Sequence, residues 1–472
     1  MSDTVVNLFG GSPLNRLSWL RPSQIFLDAA TALPSTRWLL FNGGRPLVSS
    51  PGDNPSAISL AYLSTPDVEP FIGARPWFGQ NKDGGALTPQ EATEHTAAAR
   101  HRGPPIVFLG LDEPRGGPRS ALPSADFADP ARALANLHGT PYFALDVAGL
   151  AHPDDALARP DAAGLARPDA AAAPRRWAEP RALAGGLGAF DAAVFAEARS
   201  MLDWHARSRF CPACGARTYA LWGGWKIACA SLLPWADADG GSAPCPTTTG
   251  LHNFTHPRTD PVVIMLAIDA TGDKILLGRN KKFSGRFYSA LAGFMEPGES
   301  VEDAVAREMW EEAGVRVSSV TYHSSQPWPY PANLMVGCYA RADAAQPLRT
   351  DLDNELEDAR WCTRAQVLGI LRHPRGAFVG GRPPAPGEGT QAGAAVLAPS
   401  DPSSSSSTNP SSSSTTTPNP PSNPTTTPNP ADPDPPFQLP PASAIAGVLI
   451  RDWAEGRVGF ARGAGAGGGA AL

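Results

Sequence analysis

Glu308, Glu311 and Glu312 stand at i, i+3 and i+4 in "GFMEPGESVEDAVAREMWEEAGV" (293–315), a stretch with seven carboxylates and an apolar repeat. Like charges at this spacing destabilise a helix by about 0.2–0.5 kcal/mol per pair, and more beside a core. At about 100° per residue the three fall within roughly a 100° arc adjoining that of Val301, Val305 and Met309, so they border the apolar face. A solvated charged face explains most acidic helices but fits poorly here. A hard divalent cation, Mg²⁺ or Mn²⁺, removes the conflict, because it takes carboxylate oxygens together with waters and substrate phosphates. Arg307, in the same turn, is suited to orient one carboxylate. Such a cation can neutralise phosphoryl charge and supply a nucleophilic water at neutral pH.

A second constellation is Cys211, Cys214, Cys229 and Cys245, four of the six cysteines within 35 residues. In so long a chain this clustering points to metal and not to a disulfide scaffold. A redox-active CxxC pair is the competing reading, and the third and fourth cysteines argue against it.

The elements that must position these groups can be read from periodicity and capping. Ser300-Val301-Glu302-Asp303 has the form of a capping box with Asp for the usual Glu or Gln, and Gly314 suits a C-cap, which predicts a helix over 301–313. "PVVIMLAIDATGDKILLGRN" (261–280) reads as a hairpin around Thr-Gly-Asp, "NLMVGCYARA" as a strand, and "NELEDARWCTRAQVLGIL" as a short strand passing into a helix. This order indicates a mixed α/β layer domain. "FDAAVFAEARSMLDWH" (190–205) places Phe190, Val194, Ala198, Met201 and Leu202 at helical spacing before the cysteines. Upstream, "RWLLFNG", "PPIVFLGLDE" and "TPYFALDVAG" are β-type runs of an N-terminal sheet domain.

At 472 residues the chain is long enough for two or three domains. Its net charge of −6 gives no basic footprint for duplex binding. No apolar run approaches the roughly 20 residues needed to cross a bilayer, and the N-terminus has no signal-peptide pattern, so a soluble intracellular protein is expected. The terminal Ala-Ala-Leu keeps the leucine of a peroxisomal S-K-L signal without its serine or basic residue, leaving a cytoplasmic or peroxisomal location open.

Gly293, Glu299, Arg307-Glu308, Met309, Glu311-Glu312, Gly314 and Val315 match every position of the Nudix box. With seven fixed residues at roughly 5–7% usage each, a chance match is on the order of 10⁻⁹ to 10⁻⁸ per window, so the resemblance is specific. It implies an α/β/α sandwich hydrolase with a mixed sheet, using Mg²⁺ or Mn²⁺. Carried over by position, Glu308 and Glu312 are metal ligands with the carbonyl of Ala292. Glu311 is a further ligand or helps deprotonate the attacking water, and Arg307 positions the glutamates.

Ten residues on, Ser325-Gln326-Pro327-Trp328-Pro329-Tyr330-Pro331 closely resembles the S-Q-P-W-P-F-P signature of the NADH pyrophosphatase branch. Prolines pre-order such a loop, the aromatics offer stacking faces, and Gln326 can read a polar edge. The resemblance also implies a structural zinc ribbon on Cys211, Cys214, Cys229 and Cys245, with His252 and His256 as alternatives for the fourth position. His256 aligns better with a substrate-contacting Tyr of the family. "DNELEDARW" resembles the segment supplying one more acidic ligand, Glu355, with Glu357 as a possible neighbour. "PPASAIAGVLI" resembles the segment closing the substrate pocket with Ala444 or Ala446.

The organisation implied is an N-terminal NADH-pyrophosphatase-like domain (1–150), a low-complexity insertion (151–186) with "LARPDAA" twice, and a helix plus zinc ribbon (187–257), within which 230–244 reads as an inserted loop. A Nudix domain (258–374), a disordered Ser/Thr/Pro-rich insertion (375–435), a C-terminal Nudix helix (436–460) and a disordered tail (461–472) follow. The resemblance implies a homodimer hydrolysing NAD(H) to nicotinamide mononucleotide and AMP; from charge and hydropathy, no membrane or DNA partner is expected. Alternatives are removal of NAD caps from RNA by the same site and a non-catalytic NAD(H)-binding sensor.

Overall fold

The computed structural model describes residues 5–50, 58–88, 91–113, 137–158, 174–236, 245–250, 252–282, 285–377 and 434–458, with the single positions 129, 132 and 135. Most of the expected Ser/Thr/Pro-rich insertion, the centre of the "LARPDAA" segment, residues 237–244 and the C-terminal tripeptide lie outside the described residues. The chain divides into two compact units, one of residues 1–262, 322–337 and 443–445, the other of 263–321, 338–442 and 446–472. This division does not follow chain order, since 322–337 separate from the Nudix-like segment in which the sequence places them.

The first unit begins with α1 (Gln24–Ala32), β1 (Arg37–Asn42), β2 (Arg45–Ser49), β3 (Ser59–Leu60), β4 (Tyr62–Leu63), α2 (Thr65–Ile72), β5 (Ile106–Asp112), β6 (Thr140–Asp146) and β7 (Arg175–Trp177). The strands form one sheet in the order β3-β2-β1-β6-β5, with β4 on β1 and β7 on β2. β1 and β6 run parallel and are apolar almost throughout, as expected of strands buried on both faces. Trp38 stacks on Phe143 at 4.8 Å, and Phe26 meets Phe108 edge-on at 5.3 Å. β7 corrects one expectation: Arg175–Trp177 pairs with Leu47–Ser49, so the end of the expected low-complexity segment belongs to this sheet. Its Ala, Pro and Arg content hides a strand that exists only because β2 offers an edge.

α3 (Ala189–Arg207) buries Val194, Ala198, Met201 and Leu202. The hairpin of β8 (Thr218–Leu221) and β9 (Lys226–Cys229) follows. His205 on α3 is buried, with Nε2 2.7 Å from the Gly224 carbonyl oxygen, so Nε2 carries the proton and donates. Burial pushes its pKa down to about 4, against the partial support of that carbonyl. The unfolded chain takes up this proton near 6.5, so the stabilisation is complete above about 6.5 and is lost as pH falls toward 4, on the order of 3 kcal/mol. Thermal denaturation between pH 7.5 and 4.5 should therefore be flatter in His205→Gln than in the parent; equal slopes would remove His205 as the cause.

The remaining elements are β10 (Asp260–Ile268), β11 (Lys274–Asn280), β12 (Leu291–Phe294), α4 (Val301–Ala313), β13 (Val317–Trp328), β14 (Asn333–Ala342), β15 (Leu356–Thr363), α5 (Arg364–Arg372) and α6 (Ile445–Ala454). The strands form a mixed α/β layer sheet in the order β13-β14-β10-β11-β15, with β12 on β10. β10, at the centre, is buried from Val262 to Ile268 and correspondingly apolar. β13, at an edge, is exposed or half-exposed over its first half, alternates half-exposed and buried residues from His323 to Trp328, and accommodates Pro327, which has no N–H for a ladder. α6 is anchored by Trp453, whose Nε1 donates to the Gly272 carbonyl at 3.2 Å, and by the Tyr339 hydroxyl donating to Leu449.

Candidate metal and hydrolytic site

α4 starts and stops where its caps require. Ser300 Oγ accepts from the Asp303 N–H at 3.2 Å, Asp303 accepts from the Ser300 N–H at 3.0 Å, and Gly314 closes the helix at φ 67°. Ala304, Val305, Met309 and Ala313 are buried, which sets the rotation that aims Glu308 and Glu312 inward.

Arg307 organises the carboxylates. Nε and one Nη2 hydrogen go to the two oxygens of Glu299 at 2.5 and 2.9 Å, and Nη2 also donates to the Phe294 carbonyl at 2.7 Å. Nη1 donates to Glu308 at 2.8 Å and Glu311 at 3.0 Å. All five guanidinium hydrogens thus have acceptors, a set that lysine cannot reproduce. The bonds to Glu299 lead in raising the Arg307 pKa well above its usual value, and they hold Glu299 below the ordinary carboxylate range.

Glu308, Glu312 and Glu355 are shifted the opposite way. Burial pushes Glu308 up to about 7, opposed by Arg307 and helped by Glu311 and Glu355. Glu312 is 3% exposed and raised well above its ordinary value by burial, then by Glu355, Glu308 and Asp353. Glu355 is raised by burial and by Asp353. One buried and two half-buried carboxyls, each raised by desolvation and by a neighbouring acid, fit a cation, which reverses these shifts. Arg307 Nη1 bridges Glu308 and Glu311, at 2.8 and 3.0 Å.

Two supports were not evident from the sequence. The backbone N–H of Ala292 donates to Glu312 Oε1 at 3.2 Å, tying β12 to α4. Asn280 Nδ2 donates to Glu355 Oε1 at 2.7 Å, its Oδ1 accepting from the Lys282 N–H. A register shift at Arg279/Asn280 opposite β15 turns Asn280 toward Glu355, a use of a bulge to re-aim one side chain. Glu357 pairs instead with Arg279 at 3.1 Å.

Gly293 has a different reason from a turn. A Cβ there would lie 1.9–2.2 Å from the Glu308 carboxylate, so only glycine lets that group rest over β12. Gly293→Ala should raise the divalent-ion concentration needed for half-maximal hydrolysis by about 10–100-fold with little change in melting temperature. An unchanged metal requirement would mean that Glu308 can stand elsewhere at no loss.

The four cysteine sulfurs gather within 4.8 Å of one another, a ligand set for one metal ion that includes Cys245. His252 Nε2 lies 2.8 Å from the Thr249 carbonyl oxygen, and His256 lies against Trp222 at 5.7 Å between ring centres, so neither joins the sulfurs.

The proline-rich segment departs from the expected loop. Ser325–Trp328 completes β13, burying Gln326 and Trp328 and leaving Ser325 and Pro327 half-exposed. Gln326, expected to read a polar edge, instead donates to the carbonyls of Leu8 at 3.1 Å and Ser443 at 2.8 Å and accepts from the Ile445 N–H at 2.8 Å. Tyr330 is buried, its hydroxyl donating to the Pro180 carbonyl at 2.9 Å, and the Pro329 carbonyl accepts from Arg199. Strand alternation gives the reason: proline content suggests a loop, but an edge strand tolerates it, and the alternate residues then turn inward. Ala444 and Ala446 are buried, Ala446 within α6.

Residues 258–381 match the model of the NUDIX domain family, and 35–204 match that of the NADH pyrophosphatase-like rudimentary NUDIX domain. The NAD-capped RNA hydrolase of Schizosaccharomyces pombe is 35% identical over 367 residues, covering 77% of this chain and 85% of that protein. NAD-capped RNA hydrolase NPY1 of Saccharomyces cerevisiae is 28% identical over 384 residues, covering 79% and 89%. NAD-capped RNA hydrolase NUDT12 of Homo sapiens is 49% identical over 181 residues, covering 38% of this chain and 36% of that protein. Similarity of this extent to the fission-yeast protein, with both domain models matched and the box on a capped helix, makes this chain a member of the Nudix hydrolase family in its NADH pyrophosphatase branch.

Proposed function

We propose that this chain hydrolyses the pyrophosphate bond of NAD(H) to nicotinamide mononucleotide (NMN or NMNH) and AMP, and that the same site accepts NAD as the 5′ cap of RNA, leaving 5′-monophosphate RNA. The observation that carries this reading is the Arg307-held carboxylate set on α4. The names of the relatives favour the capped-RNA substrate as much as the free dinucleotide.

Glu308, Glu311, Glu312, Glu355 and the carbonyl of Ala292 would hold Mg²⁺ or Mn²⁺, which supplies charge neutralisation at the phosphoryl groups and an activated water. Glu311 is the candidate proton acceptor. Its side chain is 46% exposed against 12% for Glu308, and Arg307 engages only its Oε2, leaving Oε1 to take the proton of an attacking water. Arg307 keeps Glu308 and Glu311 separated and oriented while that proton moves. Ser325, Pro327 and the backbone beside them are the parts of the proline-rich segment left to meet a nucleotide, with Trp328, Pro329 and Tyr330 shaping it from behind. The cysteine set would hold structural Zn²⁺, since all four ligands come from protein. A homodimer is the proposed assembly. Among the described residues no helix is long and apolar enough to cross a membrane.

The test is chromatography of products after incubation with NADH, NAD⁺, NAD-capped RNA, ADP-ribose and diadenosine polyphosphates, with Mg²⁺ or Mn²⁺. Release of AMP from NADH, or of NMN from capped RNA, is expected. Binding of NADH without AMP release would favour the sensor reading, and preference for ADP-ribose or diadenosine polyphosphates would overturn the NAD assignment.

A further inference from the structure

The cysteine ribbon carries cations that form no ion pair among the described residues. From Trp204 through Ala236 the chain has no aspartate or glutamate but contains Arg207, Arg209, Arg217 and Lys226, although its net charge is −6. The next acids, Asp237 and Asp239, lie outside the described residues. Arg207 is spent on Asp203, as Arg258 beyond the ribbon is spent on Asp260. Among the described residues Arg209, Arg217 and Lys226 form no ion pair.

Two of these cations sit over aromatic rings. Phe210 is 56% exposed, one of few large apolar side chains so placed, with the Arg217 guanidinium 5.6 Å from its ring centre. The two residues are cross-strand partners, so they share one side of the ribbon. At the other end of β8, Lys226 Nζ lies 4.5 Å from the centre of the Trp222 ring, against which His256 also packs. Arg217 and Trp222 flank the four-residue strand, roughly 16 Å apart at about 3.3 Å per residue. Buried aromatics are explained by packing, but an exposed ring under a guanidinium with no ion pair among the described residues is not. Cations that follow a phosphate chain, alternating with ring faces on which bases stack, are what single-stranded nucleic acid requires.

We propose that this edge of the ribbon, carried by Arg209, Phe210, Arg217 and the Trp222–Lys226 pair, binds the single-stranded RNA that follows an NAD cap. The proposal rests on the capped-RNA arm of the function above. It adds a second contact that free NAD(H) cannot use, and it contacts phosphates and ring faces, so it is indifferent to sequence.

The test measures binding of a 5′-monophosphorylated single-stranded RNA of about 20 nucleotides to the full chain, by anisotropy across a range of salt. Arg209→Gln/Arg217→Gln should lower the slope of log affinity against log salt by about 1.4, at about 0.7 per lost cation on a single strand. Phe210→Ala should weaken binding about fivefold or more. Zinc content and NADH hydrolysis should match the parent in both. Parental affinity and salt slope in both variants, or no RNA binding by the parent, would overturn the proposal. The two readings fail separately: RNA binding that responds to these substitutions in a chain cleaving neither NADH nor capped RNA removes the proposed activity and keeps the surface, whereas normal hydrolysis with unaltered RNA binding does the reverse.

Discussion

Glu312→Gln should lower pyrophosphate hydrolysis by about 10³-fold or more while leaving the metal-free protein at least as stable as the parent. The loss follows from removing a buried charge aimed at a cation, since metal stabilisation of the transition state is worth several kcal/mol and about 1.4 kcal/mol is tenfold in rate. The stability side follows from the surroundings. Glu312 is disfavoured as a carboxylate by burial and then by Glu355, Glu308 and Asp353. A glutamine of the same shape still accepts from the Ala292 N–H and removes both penalties. Steady-state hydrolysis of NADH and the melting temperature in chelator should therefore move in opposite directions or the second not at all. A variant of full activity would sink the assignment of the site, and one that fails to fold would mean that the carboxylate is structural.

Cys245→Ser should cost the protein its zinc. Four sulfurs within 4.8 Å need no rearrangement to hold one ion, and structural zinc contributes roughly 10–16 kcal/mol to folding of small ribbons. Around the sulfurs themselves the ribbon has only a two-stranded hairpin of four-residue strands and a small apolar cluster about Tyr219 and Leu221, its far end being bonded to Arg100 and Phe108. Metal analysis of the purified protein should give about one zinc per chain in the parent, in His252→Ala and in His256→Ala, and none in Cys245→Ser. Limited proteolysis should then cut within 208–230 in the serine variant first. Zinc retained in Cys245→Ser but lost with either histidine would reassign the fourth ligand.

Much of this architecture could be read before any coordinates, for reasons that differ by element. The limits of α4 were legible because Ser300, Asp303 and Gly314 act within one turn of themselves. The β10–β11 hairpin was legible because a buried central strand must be apolar throughout. The gathering of the cysteines followed from spacing, and Cys245 was reachable across an insertion because the chemistry of the group asks for a fourth thiolate or imidazole. What stayed hidden depends on partners distant in sequence. Arg175–Trp177 is a strand only beside β2, and Gln326 bonds to Leu8, Ser443 and Ile445, none of them near it in sequence. Asn280 has no motif of its own, and nothing in its neighbours in sequence announces Glu355, 75 residues away. Glu299 stood in the box, yet its grip on Arg307 spans eight residues and a loop.

The saturated guanidinium of Arg307 also bears on the order of events during assembly. Because it already serves as an internal counter-ion to Glu299, Glu308 and Glu311, the acidic helix can form and dock before any dissolved cation reaches it. Among the described residues the four cysteines have no cation comparable to Arg307 beside them; Cys229 and Cys245 meet the hydroxyls of Ser231 and Thr247. A hydrolytic ion should then be exchangeable in a finished protein, stripped and restored by dialysis with the fold retained, whereas the ribbon's ion must arrive while the chain is still folding and leaves only when that part of it comes apart.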